Sequence, residues 1–316
     1  MACLSSTLVY GESGVGKTGQ VGSFAKWIKF RFGKKTRLYT AESDLGTIEH
    51  LLGEFIEVAN LKDRPNMSET LALASQGWWP SEPDTDKGPG YFKGEWKPTT
   101  DWSGIGGVVY EGATEFGNDL LQEFRVKGAV GEILSAEKAP ATFVSGKMKF
   151  AGNNETHYGI AQGRLKEAIN SSQKLPIHLL WTARELKIQD KDTRQFLYGP
   201  MLAGKAATKD APAWFGNCIH IDVAKVIDPK TKLATAERRM YLWQHYDEEG
   251  EVPFLAKMRV PPEFAHLVPQ YLPLTPDLMT MVTLFDLVDE LRAKARANAA
   301  EQQTVATANS GSLTIK

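Results

Sequence analysis

Cysteine is almost missing from the chain: of 316 residues only Cys3 and Cys218 carry a thiol. They lie too far apart in sequence to give a metal or disulfide spacing, so both read as buried thiols. The six histidines never fall in ligand pairs. No charge of one sign dominates either, because 37 basic side chains meet 38 acidic ones for a net charge of −1. No global positive field therefore draws the protein onto nucleic acid, and any such binding must come from local patches. No apolar run reaches transmembrane length, and no basic, apolar signal sequence precedes the first expected strand. A reducing cytoplasm is the expected compartment. What is left, 42% hydrophobic and 24% charged, is ordinary for a soluble globular protein able to bury one large α/β core or two small ones.

Against this plain background one stretch stands out. Gly11, Glu12, Ser13, Gly14, Val15, Gly16, Lys17 and Thr18 match the phosphate-binding pattern G-x-x-x-x-G-K-[ST] without a mismatch. Glycines let backbone N–H groups turn around a phosphate chain, Lys17 supplies a point charge to the β/γ oxygens, and Thr18 offers a hydroxyl to Mg²⁺. The context fits: Leu4 to Tyr10 reads as a buried strand and Thr18 to Phe32 as a helix stopped by Gly33. The motif comes so early that no leading domain or oligomerisation arm is expected before it. Basic residues crowd the distal end of this helix, where cations favour the dipole and face water.

Three later strands end in groups that suit such a site. Arg37 to Asp44 ends in carboxylates, and a Glu there can orient and deprotonate an attacking water, which makes Glu42 the general-base candidate. Asp44 is its rival, and a turn acid before a helix near Leu45 is the plain alternative. Gly106 to Glu111 reads as a buried strand ending in an acid, so Glu111 is the candidate ligand to Mg²⁺. Glu115 then reads as the capping acid of a helix from Thr114 to about Lys138. Ile177 to Ala183 is the most uniformly apolar segment and reads as a central parallel strand, with Thr182 and Arg184 at its carboxyl end facing the γ-phosphate. Arg184 has a plainer alternative, a pairing with Glu185 or Asp190.

Between these lie segments that break the pattern. Residues 77–105 hold four of the eight tryptophans, Trp78, Trp79, Trp96 and Trp102, with interleaved lysines. They read as a long irregular loop, packed as a lid on its own domain or able to stack exposed bases. Pro140 to His157 carries Lys147, Lys149 and Phe150. Residues 184–213 form a second long charged loop with Lys187, Arg194, Lys205 and Lys209. Cys218 to Ile227 and Arg239 to Tyr246 alternate about a turn-rich DPKTK and signal an antiparallel hairpin on the sheet edge. Residues 276–300 read as an amphipathic helix with Met281, Leu284, Phe285, Val288 and Leu291 on one side, and 301–316 as a disordered polar tail.

The order of P-loop strand, strand ending in Glu, strand ending in acid and strand ending in a polar residue resembles the RecA-like ATPase core. VVYEGATEF, HYGIAQGRLKEAI and LPIHLLWTARE resemble a narrower group within it, the bacteriophage-encoded, core-only RecA-like ATPases of recombination and single-strand annealing. The resemblance covers about residues 4–245. It implies an α/β P-loop NTPase with a RecA-like, mostly parallel sheet, a core over 1–275, ATP and Mg²⁺ as cofactors, and ATP hydrolysis. Single-stranded DNA would meet the two loops, with Lys147, Lys149, Phe150, Lys187 and Arg194 as contacts. A homo-oligomer is implied, with Lys205 and Lys209 reaching ATP across a subunit boundary, and a single-strand-binding protein is a possible further partner. Glu111 replaces the family's usual Asp, LLWTA lacks RecA's signalling Gln, and the Trp-rich insert has no counterpart in RecA. Two other classes stay open: a nucleotide-stabilised phage assembly or regulatory protein whose Trp-rich insert docks a partner, and a small-molecule kinase.

Overall fold

The structure is a computed structural model. It describes residues 4–42, 44–129, 142–144, 147–149, 155–190, 193–227 and 230–310, without side chains for 127–129, 142–144, 147–149, 155–156 and 303–310. In chain order the main elements are β1 (Ser5–Gly11), α1 (Lys17–Phe32), β2 (Lys35–Thr40), β3 (Ile56–Asn60), α2 (Met67–Ser75), β4 (Trp78–Pro83) and β5 (Tyr91–Pro98). Then follow β6 (Ile105–Glu111), α3 (Ala113–Ala129), β7 (Thr142–Val144), β8 (Lys147–Lys149), α4 (Glu155–Ser172), β9 (His178–Gln189), β10 (Phe196–Met201) and α5 (Lys205–Trp214). The chain closes with β11 (Asn217–Ile227), β12 (Ala234–Tyr241), β13 (His245–Tyr246), β14 (Pro253–Phe254), β15 (Tyr271–Pro273) and α6 (Thr280–Ser310).

One large sheet has the order β15-β12-β11-β1-β9-β6-β2-β3-β5-β4. From β11 to β5 the pairing is parallel, and antiparallel strands are added at both edges: β12 and β15 on one side, β4 on the other. This is the mostly parallel α/β architecture, helices on its faces and an antiparallel hairpin at its edge, that the sequence implied. Because the central strands are covered on both faces, they are apolar at nearly every position rather than at every second one. Val9, Leu38, Val109 and Leu180 face one core with Phe24, Trp27 and Phe285, while Tyr10, Tyr39, Tyr110 and Trp181 face the other with Phe116 and Leu165. On that second face β2, β6 and β9 bring Tyr39, Tyr110 and Trp181 side by side in register. Their rings stack at 5.1 and 4.2 Å between centroids, so aromatic packing reinforces the register of the three strands.

The structure corrects four of the sequence expectations. Residues 77–105 are no irregular loop: β4 and β5 form a hairpin that extends the sheet beyond β3. Trp79 and Trp96 are buried in the core and Trp78 and Trp102 pack against it, so their aromatic load is spent on packing. Residues 184–190 and 193–213 belong to regular elements and the turns between them as well. Strand β9 does not stop at Ala183 but runs on to Gln189 and pairs antiparallel with β10, and α5 follows. The second strand of the edge hairpin begins at Ala234 and ends at Tyr241, with His245–Tyr246 a separate short strand. The terminal helix runs to Ser310, so 301–310 belong to it, while 311–316 lie outside the described residues. Met281, Leu284, Phe285, Val288 and Leu291 bury its apolar side, and Met281 N donates to Ser23 Oγ of α1 at 2.8 Å. Among the described residues no helix is long and apolar enough to cross a membrane.

Candidate functional site

The loop from Gly11 to Thr18 joins the end of β1 to the start of α1, as a helix-N-terminal anion site requires. Gly16 has φ of 111°, a conformation that favours glycine, and it forms the N-cap of α1. Gly11 serves the sheet as much as the loop, since a Cβ there would collide with the carbonyl oxygen of Ile221 on β11. Lys17 Nζ donates to the carbonyl oxygens of Gly11 at 3.0 Å and Glu12 at 2.5 Å. Burial lowers its pKa, partly offset by the nearby charge of Glu42.

A polar cavity of about 240 Å³ opens beside this loop, beyond the carboxyl ends of the parallel strands. Ser13, Gly14, Gly16, Lys17, Thr18, Glu42, Thr182 and Arg184 all line it. The structure thus gathers residues from three separate strands, the loop after β1, the turn after β2 and β9 itself, in one place. Glu12 and Val15 belong to the loop without lining the cavity, and Val15 is instead buried in the core. Glu42 follows β2 by two residues, and its N–H donates to Thr40 Oγ1 at 2.9 Å, which fixes the turn. Its rival Asp44 is occupied as a turn acid, accepting from Gly46 N at 2.8 Å. Thr182 Oγ1 accepts from Gly112 N at 3.0 Å, leaving its own proton free to donate.

Glu111 stands behind Thr18 and is 1% exposed. Thr18 Oγ1 donates to its Oε1 at 2.7 Å, and its Oε2 has no hydrogen-bond partner among the described residues. Burial pushes the carboxyl up to about 7, against the pull of the Thr18 hydrogen bond. A hydroxyl and a carboxylate with an unsatisfied oxygen fit Mg²⁺, which needs only one or two protein ligands when phosphates supply the others. No cluster of three or more His, Cys, Asp or Glu side chains that could hold a metal by itself occurs among the described residues.

Two contributors, Glu115 and Thr114, were not among the site candidates of the sequence. Glu115, expected to act as a helix cap, lines the cavity and pairs with Arg184 at 2.6 Å, a different partner from Glu185 or Asp190. Burial first, and then the charge of Glu115, raises the pKa of Glu42, with Lys17 and Arg184 opposing. Thr114 Oγ1 accepts from Arg184 N at 2.8 Å and donates to Met201 O at 2.6 Å, tying α3 to the strand that carries the arginine. The spacing E-G-A-T-E places all three polar groups at one strand-to-helix turn, and that was the available signal.

The remaining candidates lie elsewhere. Lys187 is on β9 beyond the cavity, 5.3 and 5.0 Å from the ring centres of Phe196 and Tyr198, and Arg194 is in the β9–β10 turn with φ of 58°. Lys205 and Lys209 line a separate cavity of about 770 Å³, where Lys209 pairs with Asp190 at 2.5 Å. Lys147 and Lys149 are on β8 of a two-stranded ribbon, and Phe150 lies outside the described residues.

No protein-family model matches the chain, and no curated protein matches it in sequence. Among solved structures it is similar to a KaiC-like protein from the hyperthermophilic archaeon Pyrococcus horikoshii OT3. The identity is 11%, over 75% of this chain and 77% of that one, with a TM-score of 0.36. A likeness that distant transfers no residue role.

Proposed function

We propose that the chain is a Mg-ATP-dependent ATPase that couples its nucleotide state to single-stranded DNA in phage recombination, annealing or repair. The observation that carries the ATPase reading is the convergence of Lys17, Thr18, Glu42, Thr182 and Arg184 on one polar cavity at the ends of adjacent parallel strands. Loop N–H groups and Lys17 hold the β- and γ-phosphates. Thr18 and Glu111 would hold Mg²⁺, which when bound neutralises phosphate charge. Glu42, whose pKa burial and the charge of Glu115 raise, accepts a proton from the attacking water. As the new P–O bond forms, the bond to the β–γ bridging oxygen breaks and ADP leaves with the electron pair. Thr182 donates to a γ-phosphate oxygen, and Arg184 exchanges Glu115 for the phosphate charge.

Strand β9 supports the coupling. It carries Thr182 and Arg184 in the cavity and, three residues on, Lys187 beside the exposed ring of Phe196. A cation next to an exposed aromatic suits a phosphate and a stacked base. Lys147, Lys149, Phe150 and Arg194 extend the same proposal, as do Lys205 and Lys209 acting across a subunit boundary in a homo-oligomer.

Phosphate release measured with and without single-stranded DNA is the central test. Lys17→Ala should abolish turnover, and Glu42→Gln should abolish it while ATP still binds. Turnover like wild type in the Lys17 variant would refute the site. ATP binding without phosphate release by the wild type would select a nucleotide-stabilised assembly protein. No DNA binding with an ATP analogue, even at low salt, would remove the recombination role.

A further inference from the structure

We propose that a second site, for a phosphate oxyanion, lies at the opposite end of β1 and is closed by Arg259 and Arg292. A concavity of about 370 Å³ opens there, lined by Leu4, Ser5, Ser6, Gln173, Gly216, Asn217 and these two arginines. It is independent of the nucleotide cavity. Strand β1 separates the two by roughly 20 Å, at about 3.3 Å per residue.

The lining contains no acid, in a chain where acids and bases are equal in number to within one. Neither guanidinium group has a hydrogen-bond or ion-pair partner among the described residues, whereas the neutral side chains around them are committed to one another or to the backbone. Ser5 Oγ is hydrogen-bonded to His178 Nδ1 at 2.8 Å, and Ser6 Oγ accepts from Gly216 N at 3.0 Å. Gln173 Nε2 donates to Trp214 O at 2.6 Å. Asn217 Nδ2 donates to Thr7 Oγ1 at 3.1 Å, and Asn217 Oδ1 accepts from Arg259 N at 2.9 Å, which anchors the backbone of that arginine. The frame is thus built and satisfied, and the unspent donors are the two guanidinium groups, each a planar fork suited to two oxygens of one phosphate. Two like charges lining one concavity repel each other, and an anion between them turns that repulsion into attraction. The positive field reaches inward: after burial, the charge of Arg292 is the cause that holds the buried His178 low, at about 4.

The same oxyanion can come from free phosphate or from the 5′-phosphate of a nucleic-acid strand. The test uses full-length Lys17→Ala protein, so that the P-loop does not contribute, and calorimetric titration with inorganic phosphate. One equivalent should bind, and Arg259→Ala or Arg292→Ala should weaken it at least about tenfold, with the Arg→Lys variants losing less. The lysine variants keep the charge and serve as the readout should an alanine variant fail to fold. Competition by a short oligodeoxynucleotide with and without a 5′-phosphate then identifies the source. An advantage for the phosphorylated strand assigns the site to a strand end, and competition by neither strand assigns it to free phosphate. No phosphate binding by the Lys17 variant, or binding unchanged in the Arg259→Ala/Arg292→Ala double variant, overturns the proposal.

Discussion

Replacing Glu111 with Gln removes one buried ionisable group and should flatten one component of the pH dependence of stability. The carboxyl is 1% exposed and is pushed by burial to about 7, against 4.5 for the free side chain. A group raised in this direction stabilises the folded chain fully below its unfolded pKa, and the contribution is lost as pH climbs through the folded value. At ~1.4 kcal/mol for each pH unit between the two values, about 3 kcal/mol disappears between about pH 4.5 and about pH 7.5. Other buried groups titrate in the same window. Glu185, also raised by burial, acts in the same sense, while His178, His220 and His245, lowered by burial, act in the opposite one. The raw profile mixes them, so the informative quantity is the difference between wild type and Glu111→Gln in urea melts without divalent cations. Wild type should lose about 3 kcal/mol relative to the variant as pH rises over that interval. A difference that stays constant would refute the raised pKa of Glu111. With saturating Mg-ATP the difference should flatten, because a metal-binding carboxylate must give up its proton.

Three further outcomes follow from the geometry. Glu115→Gln removes a charge that raises the pKa of Glu42, so the acidic limb of the pH–turnover profile should move to lower pH, and an unmoved limb would detach Glu115 from the base. Gly11→Ala drives a methyl group into the Ile221 carbonyl on β11 and should destabilise by about 1–3 kcal/mol or more in chemical denaturation. Trp181→Ala empties a fully buried position stacked on Tyr110 and should cost about 3–5 kcal/mol, read by thermal or urea unfolding.

Much of the edge of the candidate site was legible in the sequence because its signals are local. A phosphate loop is a contiguous motif, and strands buried on both faces write themselves as apolar runs such as Ile177 to Ala183. What escaped depends on pairing across distance. Trp78–Pro83 carries two prolines and Tyr91–Pro98 a glycine, a proline and two lysines, so they look like a loop, since their strand character comes from β3 and from the core beneath the tryptophans. The outer half of β9 has the right alternation, with Leu186 and Ile188 between charged or polar neighbours, but charge density masked it. Glu115 was hidden by its position near a helix start, where an acid has an ordinary explanation. The helical extension over 301–310 has no apolar stripe in its sequence to announce it.

The stacked rings of Tyr39, Tyr110 and Trp181 have a consequence beyond cohesion. Glu111 and Thr182 each follow one of these rings by a single residue, and Glu42 follows the third by three. The chemistry therefore inherits its alignment from a gauge buried beneath it, much as a tool edge inherits its angle from the handle. Slackening that gauge, by trimming a ring that never touches nucleotide, would blunt turnover while leaving every polar group of the cavity present.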